Sequence, residues 1–324
     1  MKKTLFALLA VGAIAFTACG NNQKKAAAPE KPTVYFTTDI SPESLVRIYE
    51  ALGKEATGRV AVKISTGEAG GHNYLKPELI GQLVQKVNGT IVECNTAYAG
   101  QRMSSEDHWQ VIRDHGFDKI AKCDIMDEEG DMKIPVQDTT WLKYNIVGSH
   151  LADYDFMINL AHFKGHAMGG FGGVLKNASI GVASTNGKTY IHTAGKTEDA
   201  SQLWGNLPPT NDPFTESMAA AAQAVHEYFK GNVLYINVLN NMSVDCDCSS
   251  NPAEPKLRDM GIAASLDPVA VDQFCIDMVF NMTPEEGNDN ADLIERINSR
   301  HGTHILDQAE KIGLGSKEYN LVEL

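Results

Sequence analysis

The stretch SVDCDCSSN, residues 243–251, sets two thiols and two carboxylates in four consecutive positions, Asp245, Cys246, Asp247 and Cys248. In an extended backbone the two cysteines project to one face and the two aspartates to the other. The thiolates can then share one tetrahedral ion, zinc or iron, with a histidine as a third ligand, Asp245 as a further candidate ligand, and both aspartates able to bond to the loop around it. Two further readings stand beside this one. One is a small, easily reduced Cys246–Cys248 disulfide, and the other an acidic turn in which the cysteines only pack. A ferredoxin-type cluster held by this chain alone is not expected, because no C-x2-C-x2-C run occurs.

The segment HFKGH places His162 and His166 four residues apart around Lys164. A zinc-protease helix would need the glutamate of H-E-x-x-H, and the glycines here favour a loop. Either histidine is a candidate metal ligand, and His166 a candidate proton carrier. The glycines that follow, Gly169, Gly170, Gly172 and Gly173, offer backbone N–H groups to an anion, with Lys164 and Lys176 to balance its charge and Asn177 close by. The third glycine of a dinucleotide fingerprint is missing, and Asn186-Gly187-Lys188-Thr189 lacks the spacing and leading strand of a phosphate loop.

These groups need a frame that brings them together. Short apolar runs alternate with helical patterns: PTVYFTT, VAVKI, TIVECN, FMINLA, VLYINVLN and GIAAS read as strands, separated by capped helices such as SPESLVRIYEALGKE and DPVAVDQFCIDMVFN. The alternation predicts an α/β fold, Rossmann-like, with a mostly parallel sheet and helices on both faces, as one large domain or two intimate lobes. In such sheets ligands bind outside the carboxyl ends of the strands. Glu68 and His72 follow VAVKI, Asn95 follows TIVEC, the HFKGH segment follows FMINLA, and the cysteine pair follows VLYINVLN. Glu68, His72 and Asn95 thereby join the glycine loop as candidate ligand-binding residues.

The opening MKK, the apolar run TLFALLAVGAIAF and the small residues before Cys19 read as a lipoprotein signal over 1–18, with Cys19 the lipidated residue. Residues 19–32, polar and rich in alanine and proline, suit a flexible tether to a domain spanning 33–324. The expected location is the bacterial cell envelope, on a membrane through the lipid at Cys19. A net charge of −13 repels nucleic acid. With Cys19 lipidated, five cysteines remain, an odd number that excludes a scaffold built wholly of disulfides.

The motifs HFKGHAMGGFGGVLKNASIG, DCDC and MGIAASLDPVAVDQFCID resemble the DUF362 family, some of whose members are described as Fe–S centre proteins. The resemblance covers residues 33–324. It implies an α/β fold and a site built from His162, Lys164, His166, the glycine loop, Lys176, Asn177 and the Asp245–Cys248 stretch. Many relatives look to insert a ferredoxin-like module before the DCDC motif, whereas residues 180–232 here contain no cysteine. Two functions follow as expectations: an envelope enzyme using a metal to polarise a small anionic substrate, or a lipoprotein that binds a ligand or metal without chemistry.

Overall fold

The computed structural model describes residues 30–324. The expected signal segment, Cys19 and the tether up to residue 29 lie outside the described residues. Twelve strands form: β1 Thr33–Thr37, β2 Val60–Lys63, β3 Thr90–Glu93, β4 Lys122–Ile125, β5 Asp131–Ile134, β6 Asn145–Gly148, β7 Phe156–His162, β8 Lys164–His166, β9 Gly170–Gly172, β10 Val233–Leu239, β11 Gly261–Ser265 and β12 Asn320–Glu323. Among them run α1 Pro42–Ala51, α2 Pro77–Lys86, α3 Ser105–Asp114, α4 Val174–Ser179, α5 Thr185–His192, α6 Asp212–Tyr228, α7 Pro268–Asn281, α8 Ala291–Ser299 and α9 His304–Lys311. Lys31–Leu324 make one compact unit.

Eight strands pair in the order β12-β1-β11-β10-β7-β2-β3-β4. Only β11 runs against its neighbours, so the sheet is mostly parallel, as the alternating sequence predicts. Two antiparallel hairpins, β5–β6 and β8–β9, stand outside it. From β2 the chain builds outward through β3 and β4, then returns to place β7 on the other side of β2. The strand order therefore reverses between β2 and β7, where an open α/β sheet leaves a crevice for a ligand.

Alternation of side chains along each strand feeds two cores. Val60 and Val62 of β2, Phe156, Ile158 and Leu160 of β7, and Leu234, Ile236 and Val238 of β10 pack with Leu45, Ile48, Leu83 and Ile112 from α1, α2 and α3. The intervening residues, among them Ala61, Met157 and Tyr235, face the layer of α4 to α7 and α9. On that second face the same alternation presents three buried polar residues, Lys63, Asn159 and Asn237, one from each of β2, β7 and β10. They fasten the short α4. Asn159 Nδ2 donates to Val174 O at 2.9 Å, and Asn177 Nδ2 donates to Asn159 Oδ1 at 2.7 Å and Lys63 O at 2.9 Å. Asn237 Nδ2 donates at 2.7 Å to Asp272, whose carboxylate accepts the Val174 and Leu175 N–H groups at 2.9 and 3.0 Å. These partners offset the cost of burying such groups, although Asn237 Oδ1 itself has none.

Candidate functional site

The crevice between β2 and β7 opens into a cavity of about 60 Å³, lined from the strand ends by Lys63, Glu93, Cys94 and His162, from α4 and its approach by Lys176 and Asn177, and by Lys188, Tyr98, Arg102, Cys246 and Cys248. That volume accommodates about four water-sized groups, or one small anion.

Its thiol wall is made by a turn. The backbone of the DCDC segment is not extended. Ser249 N–H donates to Cys246 O at 2.9 Å and Cys248 N–H approaches Cys246 Sγ at 3.4 Å. The turn still brings Cys246 and Cys248 to one place, where donor atoms of both and of His166 lie within 4.8 Å of one another. All five described cysteines are free. The Cys246 thiol is buried and the Cys248 thiol half-buried. Cys246 is held well below the usual thiol range, foremost because Cys248 donates to it; burial opposes this, and the Lys176 ammonium and His166 add to it. Cys248 keeps the proton and is pushed well up, by that bond, its burial and the neighbouring thiolate. The Tyr98 phenol, driven up by burial and then by the thiols, stays protonated.

His166 leaves the sheet on β8, and its Nδ1 accepts the N–H of Gly169 at 2.8 Å and of Met168 at 3.2 Å. The neutral ring therefore carries its proton on Nε2, the nitrogen left to face the thiols. Burial, then Lys176, lower its affinity for a second proton, against Cys246. Gly165 lets β8 approach the cysteine loop: its N–H donates to Ser243 O at 2.8 Å, and a Cβ there would stand 2.2 Å from Val244 O.

Beneath the thiols lies a network of buried charges. Asp247 Oδ1 meets His162 Nδ1 at 2.8 Å, and Lys164 Nζ lies 2.6 Å from Oδ2, near enough to pair but off the angle of an aligned hydrogen bond. Burial would raise the Asp247 carboxyl, but His162 and Lys164 hold it far below its ordinary range. On the opposite wall Glu93 accepts Thr66 N–H at 2.7 Å and Arg102 Nη1 at 3.1 Å, and pairs with Lys63 Nζ at 3.4 Å. It too is kept ionised against its burial, by Lys63 and Arg102. Arg102 also reaches Glu68 at 3.5 Å. Lys188 Nζ donates to Ala183 O at 2.6 Å. Among the described residues neither Lys176 nor Lys188 has a carboxylate within ion-pair distance.

A family model described as a domain of unknown function, DUF362, matches residues 60–277, more than half of the chain and every side chain named in this cavity. The chain belongs to the DUF362 family. A comparison with curated proteins gives no match. Among solved structures, the lactate racemase apoprotein from Thermoanaerobacterium thermosaccharolyticum is similar over 76% of this chain and 56% of that one, with 14% identity and a TM-score of 0.43. The DUF362 chain thus spans little more than half of that protein's length.

Several expectations need correction against this geometry. His162 is not placed to bind a metal: Nδ1 meets Asp247 Oδ1 at 2.8 Å and Nε2 lies 2.5 Å from Asn240 O, so both nitrogens already have partners within the protein. Asp245 turns away to Arg296 and to Ala253 N–H, at 3.4 and 3.0 Å. His72 is exposed beside Glu254. Asn95 holds His108 and Ser105, at 3.1 and 2.9 Å, and does not line the cavity. Glu68 braces the wall through Arg102 and the Gln101 N–H, at 2.7 Å, without lining the cavity. Of the glycine loop, Gly172 and Gly173 line the cavity. Gly170 and Gly172 pair with β8, Gly169 N–H serves His166, and the first N–H groups of α4 are taken by Asp272. Lys164 is neutralised by Asp247, which leaves Lys176 and Lys188 as the cavity's uncompensated ammonium groups. Lys188 comes from the Asn186–Thr189 stretch that the spacing argument set aside. Lys63, Glu93 and Arg102 also lay outside the expected set.

Proposed function

We propose that this DUF362 protein is a lipid-anchored enzyme of the bacterial envelope, acting on a small anionic molecule at the strand ends beside a metal ion held by Cys246 and Cys248. The observation that carries this reading is the meeting of two thiols and an imidazole within 4.8 Å on the wall of a cavity whose Lys176 and Lys188 face no carboxylate. The donor set fits zinc or iron, since thiolates select thiophilic ions and the pair has one proton left to lose. His166 joins as third ligand only if its ring proton moves to Nδ1, which gives up the bonds from Met168 and Gly169. When bound, the ion supplies Lewis acidity to a carbonyl or phosphoryl oxygen. Lys176 and Lys188 hold the anion by charge, Lys63 and Arg102 balance Glu93 and Glu68 on the opposite wall, and Asp247 fixes Lys164 and His162 behind it.

One observation favours capture without chemistry. With both nitrogens of His162 engaged, only His166 of the two motif histidines is left to move a proton. Turnover of a bound candidate, as opposed to its retention, separates the readings.

Elemental analysis of protein purified without oxygen or affinity-tag metal tests the centre. It should find about one zinc or iron per chain, absent from a Cys246→Ser, Cys248→Ser variant, with about one proton released per ion on reloading. Phosphate or a small carboxylate should stabilise the wild type by about 2.7 kcal/mol at roughly a hundredfold excess over its dissociation constant, and a Lys176→Ala, Lys188→Ala variant far less. Metal-free native protein whose two thiols appear only on reduction would sink the metal reading. Equal anion shifts in wild type and lysine variant would sink the anion site.

A further inference from the structure

We propose a second metal site, on the surface, where His301 and His304 bind a divalent transition-metal ion of the zinc or copper(II) class with Asp212 and Glu216 behind them. His301 lies in the turn between α8 and α9, His304 opens α9, and the two acids lie in the first turns of α6. Donor atoms of Asp212, His301 and His304 fall within 4.8 Å of one another. His301 adopts the left-handed backbone, φ 49°, which a residue with a Cβ enters at a cost. That conformation stacks its ring on His304, centroids 4.9 Å apart and planes 16° from parallel.

Each ring is aimed by its own carboxylate. His301 Nδ1 meets Asp212 Oδ1 at 2.6 Å, and His304 Nε2 meets Glu216 Oε1 at 3.0 Å. A carboxylate on one ring nitrogen fixes the proton there and leaves the lone pair on the other, as in carboxylate–histidine–metal arrangements. His301 Nε2 and His304 Nδ1 are those other nitrogens, and imidazole pairs suit zinc or copper better than magnesium or calcium. The positive ends of α6 and α9 meet here, and the two carboxylates offset them. The ligand-bearing segments are also braced before any ion arrives. Asn211 Nδ2 donates to Met168 O at 2.9 Å and to Arg300 O at 2.5 Å, and Arg300 Nε donates to Ala167 O at 2.6 Å. His301 and Asp212 remain open to solvent, side chains 59% and 44% exposed, so an ion can reach them.

Trp141 provides the readout, because its indole N–H donates to Glu216 Oε2 at 2.6 Å. Copper(II) is titrated into the full chain, free of any affinity tag and carrying Cys246→Ser and Cys248→Ser so that the thiols take no part. The expected result is saturable quenching with one equivalent, reversed by zinc and largely removed by Trp141→Phe. A His301→Asn, His304→Gln variant, whose asparagine tolerates the left-handed backbone, should bind at least about tenfold more weakly with an unchanged metal-free melting temperature. Quenching that does not saturate, or an affinity unchanged in that variant, overturns the site. Should the pair of substitutions fail to fold, His301→Asn alone decides by the same criterion.

Discussion

Asp247→Ala should be among the most destabilising substitutions in the chain that touch no apolar side chain. It removes the counter-charge of Lys164, whose side chain is 8% exposed, and strands an imidazole N–H of His162. Breaking one side of a buried pair costs about 3–5 kcal/mol, and an unpartnered buried donor about 1–3 more. The expected loss is therefore about 4–8 kcal/mol, a large share of a typical domain's 5–15. Urea denaturation of reduced, metal-free protein at pH 7 measures it. If the penalty lies in the orphaned ammonium, adding Lys164→Met should recover about 2–3 kcal/mol, because removing both charges is far cheaper than removing one. The sign with pH follows from the depressed Asp247 carboxyl. Its contribution is complete above the ordinary carboxylate range and erodes only as pH falls towards the lower native value, so the gap between wild type and variant should narrow only in strong acid. A loss under about 1 kcal/mol, or a double variant less stable than the single one, would refute the reasoning.

Asp272, pushed up to about 6 by burial against three hydrogen bonds, has the opposite sign. Its stabilising contribution is complete below its ordinary value and is lost as pH rises through about 6, so the stability of wild type relative to Asp272→Asn should fall by about 2–2.5 kcal/mol between pH 4 and 7; a difference constant with pH counts against it. Gly165→Ala should push β8 off the cysteine loop through the Val244 carbonyl and weaken metal retention without changing a ligand, which elemental analysis of the variant checks. Cys19→Ala should release the protein from the membrane fraction or block its processing; wild type found wholly soluble, with an amino terminus beyond Cys19, would end the lipoprotein proposal.

The parts of the fold legible in the sequence were those whose apolar pattern matched their burial. β7 and β10 are buried along their whole length and read as apolar runs interrupted within by Asn159 and Asn237 alone. β4, KCDI, is an edge strand with an exposed lysine, and β12, NLVE, is exposed throughout, so neither carries a burial pattern to detect. The thiols and histidines were visible by residue type, yet their expected geometry was wrong in detail. The DCDC backbone turns, which sends Asp247 to Lys164 and Asp245 to Arg296 instead of aligning them on one face. Lys63 had a signal, a lone charge in the apolar run VAVKI, and period-two alternation already places it opposite Val60 and Val62. Asp272 had none. It sits in a helix beside apolar neighbours, and its partners Val174 and Leu175 are about a hundred residues away in the chain.

The charges around the cavity carry one further consequence, resting on the proposed metal site. Lys63 and Arg102 answer Glu93 and Glu68, and Lys164 answers Asp247, while Lys176 and Lys188 have no carboxylate partner and Lys176 faces the Cys246 thiol. A positive remainder in a narrow, largely enclosed crevice acts more strongly on an anion than the same charges on the surface of a chain of net charge −13. Loading a divalent ion onto the cysteine pair exchanges one proton for two positive charges, a gain of one. At an effective dielectric of about 20 and a separation of about 8 Å, that unit is worth about 2 kcal/mol, about thirtyfold in anion affinity. Binding free energies are reciprocal, so the anion must tighten the metal by the same factor. Phosphate titrated by calorimetry into zinc-loaded and zinc-free protein should bind more tightly to the loaded form, and zinc should bind more tightly with phosphate present. Equal phosphate affinities in the two forms would place the anion away from the thiols and detach the lysines from any chemistry at the metal.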